Sequence, residues 1–210
     1  METGVTGILL AGGKSRRMGE DKRFLVLGEQ TLLQRGLAAL HSIFQEVVVV
    51  IAQDSPPLHV DGRVIRDLVP DCGSLGGLYT GLMQATTPYI FVVACDMPFL
   101  DQAVMTHFTN RKATADIVMA KLNSRLHPMH ALYSKPCLPA LEQMIAARQL
   151  KIQEIVSQST LRVGYVTEKD LSVLDPSGRS FYNVNTLADL EAAQSLLVRL
   201  PPSEKHECPP

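Results

Sequence analysis

The chain carries four cysteines in 210 residues, Cys72, Cys95, Cys137 and Cys208, and none lies in a Cys-x-x-Cys spacing. A zinc site or a disulfide framework is therefore not expected, and a reducing cytoplasm is the expected compartment. No apolar run approaches the roughly 20 residues that a membrane-spanning helix needs. The start, Met1-Glu2-Thr3-Gly4, has no basic segment, and the apolar run Ile8 to Ala11 is too short for a secretory signal. An excess of one charge is missing too. The formal net charge is −1, which argues against a nucleic-acid coat or a binder of anionic membranes. Two familiar phosphate motifs are also absent. Gly13-Lys14-Ser15 looks like the end of a Walker A loop, but the position where that motif needs its first glycine holds Ile8. The Gly-x-Gly-x-x-Gly fingerprint of dinucleotide folds does not follow the first strand either, so neither a P-loop NTPase nor a standard NAD fold fits.

What is present is an average globular composition, 46% apolar and 20% charged. The length suits one domain over residues 1–200, with 201–210 a flexible tail lacking any apolar pattern. Val5 to Leu10 reads as a buried strand. Thr31 to Ile43 reads as a helix with Leu33, Leu37 and Leu40 on one face and Thr31 as its N-cap. Val47 to Ile51 is apolar at every position, the pattern of a parallel strand covered on both faces. Val64-Ile65 is a brief strand ending at Arg66-Asp67. The rhythm then repeats, with a glycine-rich segment Gly73 to Gly77, a helix Leu78 to Ala85, a strand Tyr89 to Ala94, a helix Gln102 to Asn110 and a strand Ile117 to Ala120. Later come a strand Met129 to Tyr133, a helix Leu138 to Ala147, a strand Arg162 to Val166 and a helix Ala188 to Val198. Strands alternating with helices predict a three-layer α/β/α sandwich with a mostly parallel, Rossmann-like sheet, one strand of the later part running antiparallel.

The most informative stretch is Leu10-Ala11-Gly12-Gly13-Lys14-Ser15-Arg16-Arg17-Met18-Gly19-Glu20-Asp21-Lys22. It follows a strand, and in an open parallel sheet ligands bind at the carboxyl ends of strands. Gly12 and Gly13 allow the backbone to approach a phosphate closely. Lys14, Arg16, Arg17, Lys22 and Arg23 concentrate positive charge in an otherwise neutral chain, a patch aimed at an anion; a solvated basic turn is the structural alternative.

This pattern resembles the nucleoside-triphosphate transferase superfamily, whose signature is a strand, Leu-Ala-Gly-Gly or Leu-Ala-Ala-Gly, a basic stretch, Met-Gly and a lysine. Within it the chain is similar to the molybdenum cofactor guanylyltransferase (MobA) family. Gly73 to Gly77 is similar to the family's Gly-Pro-Leu-Ala-Gly segment, and Ala94-Cys95-Asp96-Met97-Pro98 to its Cys-Asp-x-Pro motif. Arg125-Leu126-His127-Pro128 is similar to its His-Pro motif, and Asn183-Val184-Asn185-Thr186 with Asp189-Leu190 to its last element. The motifs occur in order over residues 8 to 190.

The resemblance implies transfer of GMP from GTP to the terminal phosphate of molybdopterin, giving the guanine dinucleotide cofactor and pyrophosphate. It implies Lys22, Arg17 and Asp96 as the catalytic set, with Asp96 the ligand of Mg²⁺, the cation that phosphate transfer ordinarily requires. Leu10, Ala11, Gly12, Gly13, Lys22, Gln53, Asp67 and Asp96 are the expected nucleotide-binding residues. Gln53 stands where the family uses an asparagine, a departure that touches base or ribose contacts and leaves the phosphate chemistry alone. Backbone groups near Leu10 to Gly12 and around Gln53 are the candidates for reading the base. His127, Asn183 and Asn185 are expected on the acceptor side.

Each has a plain structural alternative: a helix cap for Asp96, a turn for Asp67, a hydrogen-bonded core histidine for His127 or His130, a turn and N-cap for the asparagines. His127 and His130, three apart on a strand, are expected on opposite faces. Cys72 and Cys95 read as small packing residues. The expected partners are GTP and molybdopterin, with a GTP-binding adaptor protein and apo-molybdoenzymes beyond them. No nucleic acid, no membrane and a monomer are expected. The alternatives are a related transferase using CTP or another phosphorylated acceptor, and a non-catalytic nucleotide- or cofactor-binding paralogue. Leu-Ala-Gly-Gly favours the guanylyl branch.

Overall fold

The computed structural model describes residues 1–12 and 21–198. Gly13, Lys14, Arg16 and Arg17 of the basic stretch and the expected tail 201–210 lie outside them. In chain order the elements are β1 (Glu2–Leu10), β2 (Val26–Leu27), β3 (Gln30–Thr31), α1 (Leu32–His41), β4 (Phe44–Ile51), β5 (Arg63–Arg66), α2 (Gly73–Gln84), β6 (Tyr89–Ala94), α3 (Gln102–Thr109), β7 (Ile117–Leu122), β8 (Arg125–Ser134), α4 (Leu138–Ala146), β9 (Val163–Thr167), α5 (Glu168–Leu171) and α6 (Leu187–Val198). Seven strands form one sheet in the order β5-β4-β1-β6-β8-β7-β9, and only β8 runs against its neighbours. β2 and β3 form a separate small hairpin.

The valine run of β4 shows why the sheet has two covered faces. Val47, Val49 and Ile51 pack into the core under α1, whereas Val48 and Val50 pack into the core under α2 and α4. Successive side chains point to opposite faces, so a strand with no polar alternation must be covered twice. α1 begins where expected. Thr31 Oγ1 accepts from the Gln34 amide at 3.2 Å and Gln34 Oε1 accepts from the Thr31 amide at 2.8 Å. This reciprocal box satisfies two amides that the first turn would leave unpaired. Leu32, Leu33, Leu37 and Leu40 are buried beneath it, each worth about 1.5–3 kcal/mol on burial.

α2 corrects one expectation. The segment Gly73 to Gly77 is not a loop before the helix but its first turns. The glycines are there for proximity. A Cβ on Gly76 would sit 2.6 Å from the Val69 carbonyl oxygen and 2.9 Å from Asp67 Oδ2, and one on Gly81 would sit 3.0 Å from Ile8 Cγ2. The helix therefore lies closer to the sheet and to the Asp67–Val69 turn than any other residue type would allow.

β8 is longer than expected because Asn123 and Ser124, with φ of 49° and 63°, turn β7 directly back into it. Two consecutive left-handed residues make the tight hairpin turn that matches strand twist. Met119 pairs with Ala131 but the next residue, Ala120, pairs with His127. The extra residues of this bulge, Pro128 to His130, reset the alternation of side chains. His127 and His130 accordingly share one side. Both rings pack on Phe181, at 5.1 and 4.6 Å between centroids, contrary to the opposite faces that regular spacing implies.

Candidate active site

A cleft of about 880 Å³ opens at the carboxyl ends of β1, β4, β5 and β6. Every expected nucleotide-binding residue within the described part of the chain lines it: Leu10, Ala11, Gly12, Lys22, Gln53, Asp67 and Asp96. Gly13 and the expected catalytic Arg17 lie outside the described residues.

Lys22 follows Asp21, whose carboxylate accepts from the Arg23 amide at 3.1 Å and so caps the short turn Lys22–Phe24. The Lys22 ammonium donates to Asn185 Oδ1 and to the Val184 carbonyl, each at 3.1 Å, and stands 3.9 Å from Asp96 Oδ2. The Val184 amide in turn donates to the Asp96 carbonyl at 2.8 Å. Three segments far apart in sequence thus meet at one node.

Asp96 is not the cap of the next helix. Asp101 does that work, its Oδ1 accepting from the Val104 amide at 2.9 Å. Asp96 Oδ1 is buried with no hydrogen-bond partner among the described residues. Burial pushes the Asp96 carboxyl above its ordinary range, and the nearby Lys22 charge opposes that shift. Its neighbour Cys95 is buried, and burial, aided by the Asp96 charge, drives that thiol up to about 12. Cys95 is a packing residue and not a thiolate nucleophile.

Arg23 differs from expectation. It is not a free member of the basic patch but is buried, its Nε donating to both Asp21 carboxylate oxygens at 2.9 Å. Its signal was the adjacent acid two positions earlier. The Leu10–Ala11 backbone is likewise less available for reading a base than expected. The Ala11 amide donates to Val50 at 2.8 Å and the Leu10 carbonyl accepts from Cys95 at 3.0 Å, so both extend the sheet. Gln53 lines the cleft, and its carbonyl accepts from Arg66 at 2.6 Å.

Asp67 uses one oxygen structurally. Its Oδ1 accepts from Thr80 Oγ1 and from the Val69 amide, each at 2.9 Å. Of the acceptor-side candidates, Asn185 joins the Lys22 node, and Asn183 donates to the Phe181 carbonyl at 3.0 Å. His127 is half-buried against Phe181, and that burial, with the Arg125 charge, lowers its pKa. His130 is a core histidine. It is fully buried, its Nδ1 lies 3.1 Å from the Ser180 carbonyl oxygen, and burial lowers its pKa to about 4. Asp54, Asp71 and Ser74 also line the cleft and were not anticipated.

Residues 7–163 match the model of the MobA-like NTP transferase domain. The chain belongs to the MobA-like NTP transferase family. It is 34% identical over 189 residues to the probable molybdenum cofactor guanylyltransferase of Pelotomaculum thermopropionicum, spanning 90% of this chain and 91% of that protein. It is 35% identical over 195 residues to the molybdenum cofactor guanylyltransferase of Desulfosudis oleivorans, spanning 92% and 96%. Among solved structures, molybdopterin-guanine dinucleotide biosynthesis protein A of Archaeoglobus fulgidus superposes with a TM-score of 0.80 at 27% identity, covering 93% of this chain and all of that one. The MobA-like fold seen there is the layered, mostly parallel sheet described above, so the fold and the family read from the ordered motifs agree with both comparisons. No helix among the described residues is long and apolar enough to cross a membrane.

Proposed function

We infer that the chain is a nucleotidyltransferase that moves GMP from GTP to the terminal phosphate of molybdopterin. One observation carries the mechanism: Lys22, Asp96 and Asn185 converge at the mouth of a cleft large enough for a nucleotide and a phosphorylated acceptor. An oxygen of the acceptor phosphate forms a new bond to the α-phosphorus of GTP. The bond from that phosphorus to the bridging oxygen breaks, and pyrophosphate leaves with the electron pair. The acceptor phosphate is already ionised near neutral pH, so no strong general base is required.

Catalysis then rests on position and charge. Lys22 neutralises the α-phosphate as charge builds there, and Asn185 and the Val184 carbonyl hold its ammonium in place. Gly12 lines the cleft, where its backbone can approach the triphosphate; Gly13 and Arg17 are assigned to the same phosphates from the resemblance alone. Gln53 and Asp67 line the nucleoside end. His127, Asn183 and Asn185 stand on the acceptor side.

The orphaned, buried Oδ1 of Asp96 fits a divalent cation, for which we propose Mg²⁺. Among the described residues no three carboxylates, histidines or cysteines cluster as a metal cage. One protein carboxylate with the substrate's phosphates is the ordinary way such an ion is held. Asp96 would hold that cation, which would offset the negative charge of the substrates' phosphates.

The partners follow from the reaction: GTP and molybdopterin as substrates, apo-molybdoenzymes as recipients of the product, and a GTP-binding adaptor where one assists delivery. Pyrophosphate release with each nucleoside triphosphate, with and without molybdopterin, tests the reading. Release is expected only with GTP and molybdopterin together. Equal release with CTP would move the chain to another nucleotide, and no release with any triphosphate would make it a binding protein.

A further inference from the structure

Lys22 and Asp96 lie where β1 and β6 adjoin, which fixes the phosphate end of the cleft. The rest of the cleft extends toward β4, β5 and the start of α2, lined there by Gln53, Asp67, Pro70, Asp71 and Ser74. The nucleoside must lie in that direction. Guanine presents two adjacent donors on its pairing edge, N1–H and the 2-amino group. Adenine and cytosine each present a donor beside an acceptor. A carboxylate has only acceptors and can take both guanine donors at once.

Five carboxylates line the cleft. Asp21 is held by Arg23, and Asp96 faces Lys22. Asp67 accepts from Thr80 and Val69, and Asp54 has an interaction of its own. Asp71 is exposed and has no hydrogen bond or ion pair among the described residues. Its φ of 62° lies in the left-handed region, two residues before Gly73 at 55°. Aspartate tolerates that conformation better than most residues, yet it still carries a cost that no local contact of its side chain offsets.

We propose that Asp71 is the residue that selects guanine, its two oxygens accepting from N1–H and the 2-amino group. This rests on the guanylyltransferase reading and adds the side chain that enforces it.

The test measures binding of GTP, of inosine triphosphate, which lacks the 2-amino group, and of CTP, by competition against labelled GTP with Mg²⁺ present. The proteins are the wild type, Asp71→Asn and Asp71→Gly. Asparagine and glycine both accept a left-handed backbone, so both variants keep the fold. The wild type should bind GTP roughly 10- to 100-fold more tightly than inosine triphosphate, the value of one hydrogen bond to a charged group. Both variants should bind the two nucleotides within about twofold of each other, with GTP the one that weakens. A wild type that does not distinguish the two, or variants that keep the wild-type ratio, overturns the assignment of Asp71 alone. A wild type that binds CTP as tightly as GTP overturns the guanylyl reading, and this assignment with it.

Discussion

Asp96 is a side chain whose best state for folding and best state for chemistry are opposed. A carboxyl whose pKa is raised by burial binds its proton more tightly when folded. Its contribution to stability is therefore lost as pH rises through that pKa, and the ionised form at neutral pH is a burden on the fold. Asp96→Asn should abolish metal-dependent turnover while leaving the melting temperature unchanged or higher. Turnover and thermal unfolding of the same variant check this. A structural carboxylate would lose stability and keep activity. The residue was legible in sequence through the resemblance of Ala94-Cys95-Asp96-Met97-Pro98 to the family's Cys-Asp-x-Pro motif; its place after a buried strand fits a helix cap equally well. Asp71 was not legible: a lone aspartate after a proline in a loop looks like any turn, and only the cleft shows that it faces a ligand-sized space.

Among the elements, α2 shows where periodic reading stops. Its glycines read as a segment leading into the helix because glycine usually marks a turn. In the fold they let a helix approach the Asp67–Val69 turn. Gly76→Ala poses two effects of opposite sign. Helix propensity favours alanine by about 1 kcal/mol. A methyl 2.6 Å from the Val69 carbonyl oxygen cannot be accommodated without moving backbone, and overpacking of this kind costs about 1–3 kcal/mol. The clash should win. Gly76→Ala is expected to lower the denaturation midpoint and to weaken GTP binding, because the displaced turn carries Asp67. Chemical denaturation and nucleotide competition measure the two. β8 gave the other misreading. A strand's faces follow from period two only while its register is regular, and the bulge at Pro128 to His130 is not visible in the residue pattern.

At the scale of the whole molecule, acid sensitivity is set at the junction of β6, β8, α3 and the segment around Ser180. There His130 packs among Phe91, Phe108 and Phe181. Its folded pKa is about 4, against an ordinary 6.5. Between those values the unfolded chain binds the proton and the folded chain does not, so stability falls as pH drops through that window. The loss should approach about 3 kcal/mol near pH 4. Asp170, held at about 2 by its bonds to Thr167 and Arg111 despite partial burial, acts in a lower window. Its contribution is present above the ordinary aspartate value and disappears only as pH falls toward 2. Denaturation midpoints of wild type and His130→Gln from pH 7 to 4 separate these, and the variant should lose the upper part of the slope. An unchanged slope would place the acid sensitivity elsewhere. The layered architecture was readable from the alternation of strands and helices. The position of β8 between β6 and β7 was not, because chain order does not state spatial order.

The lock between Lys22, the Asp96 carbonyl and Val184 spans 162 residues of sequence. The strands that frame the cleft, β1, β4, β5 and β6, all lie before Cys95, whereas Val184 and Asn185, which accept from the Lys22 ammonium, come only after Tyr182. The cleft and the groups that orient its lysine are thus encoded in separate stretches of the chain, so a change confined to the segment after Tyr182 should unsettle Lys22 without touching the residues that line the cleft.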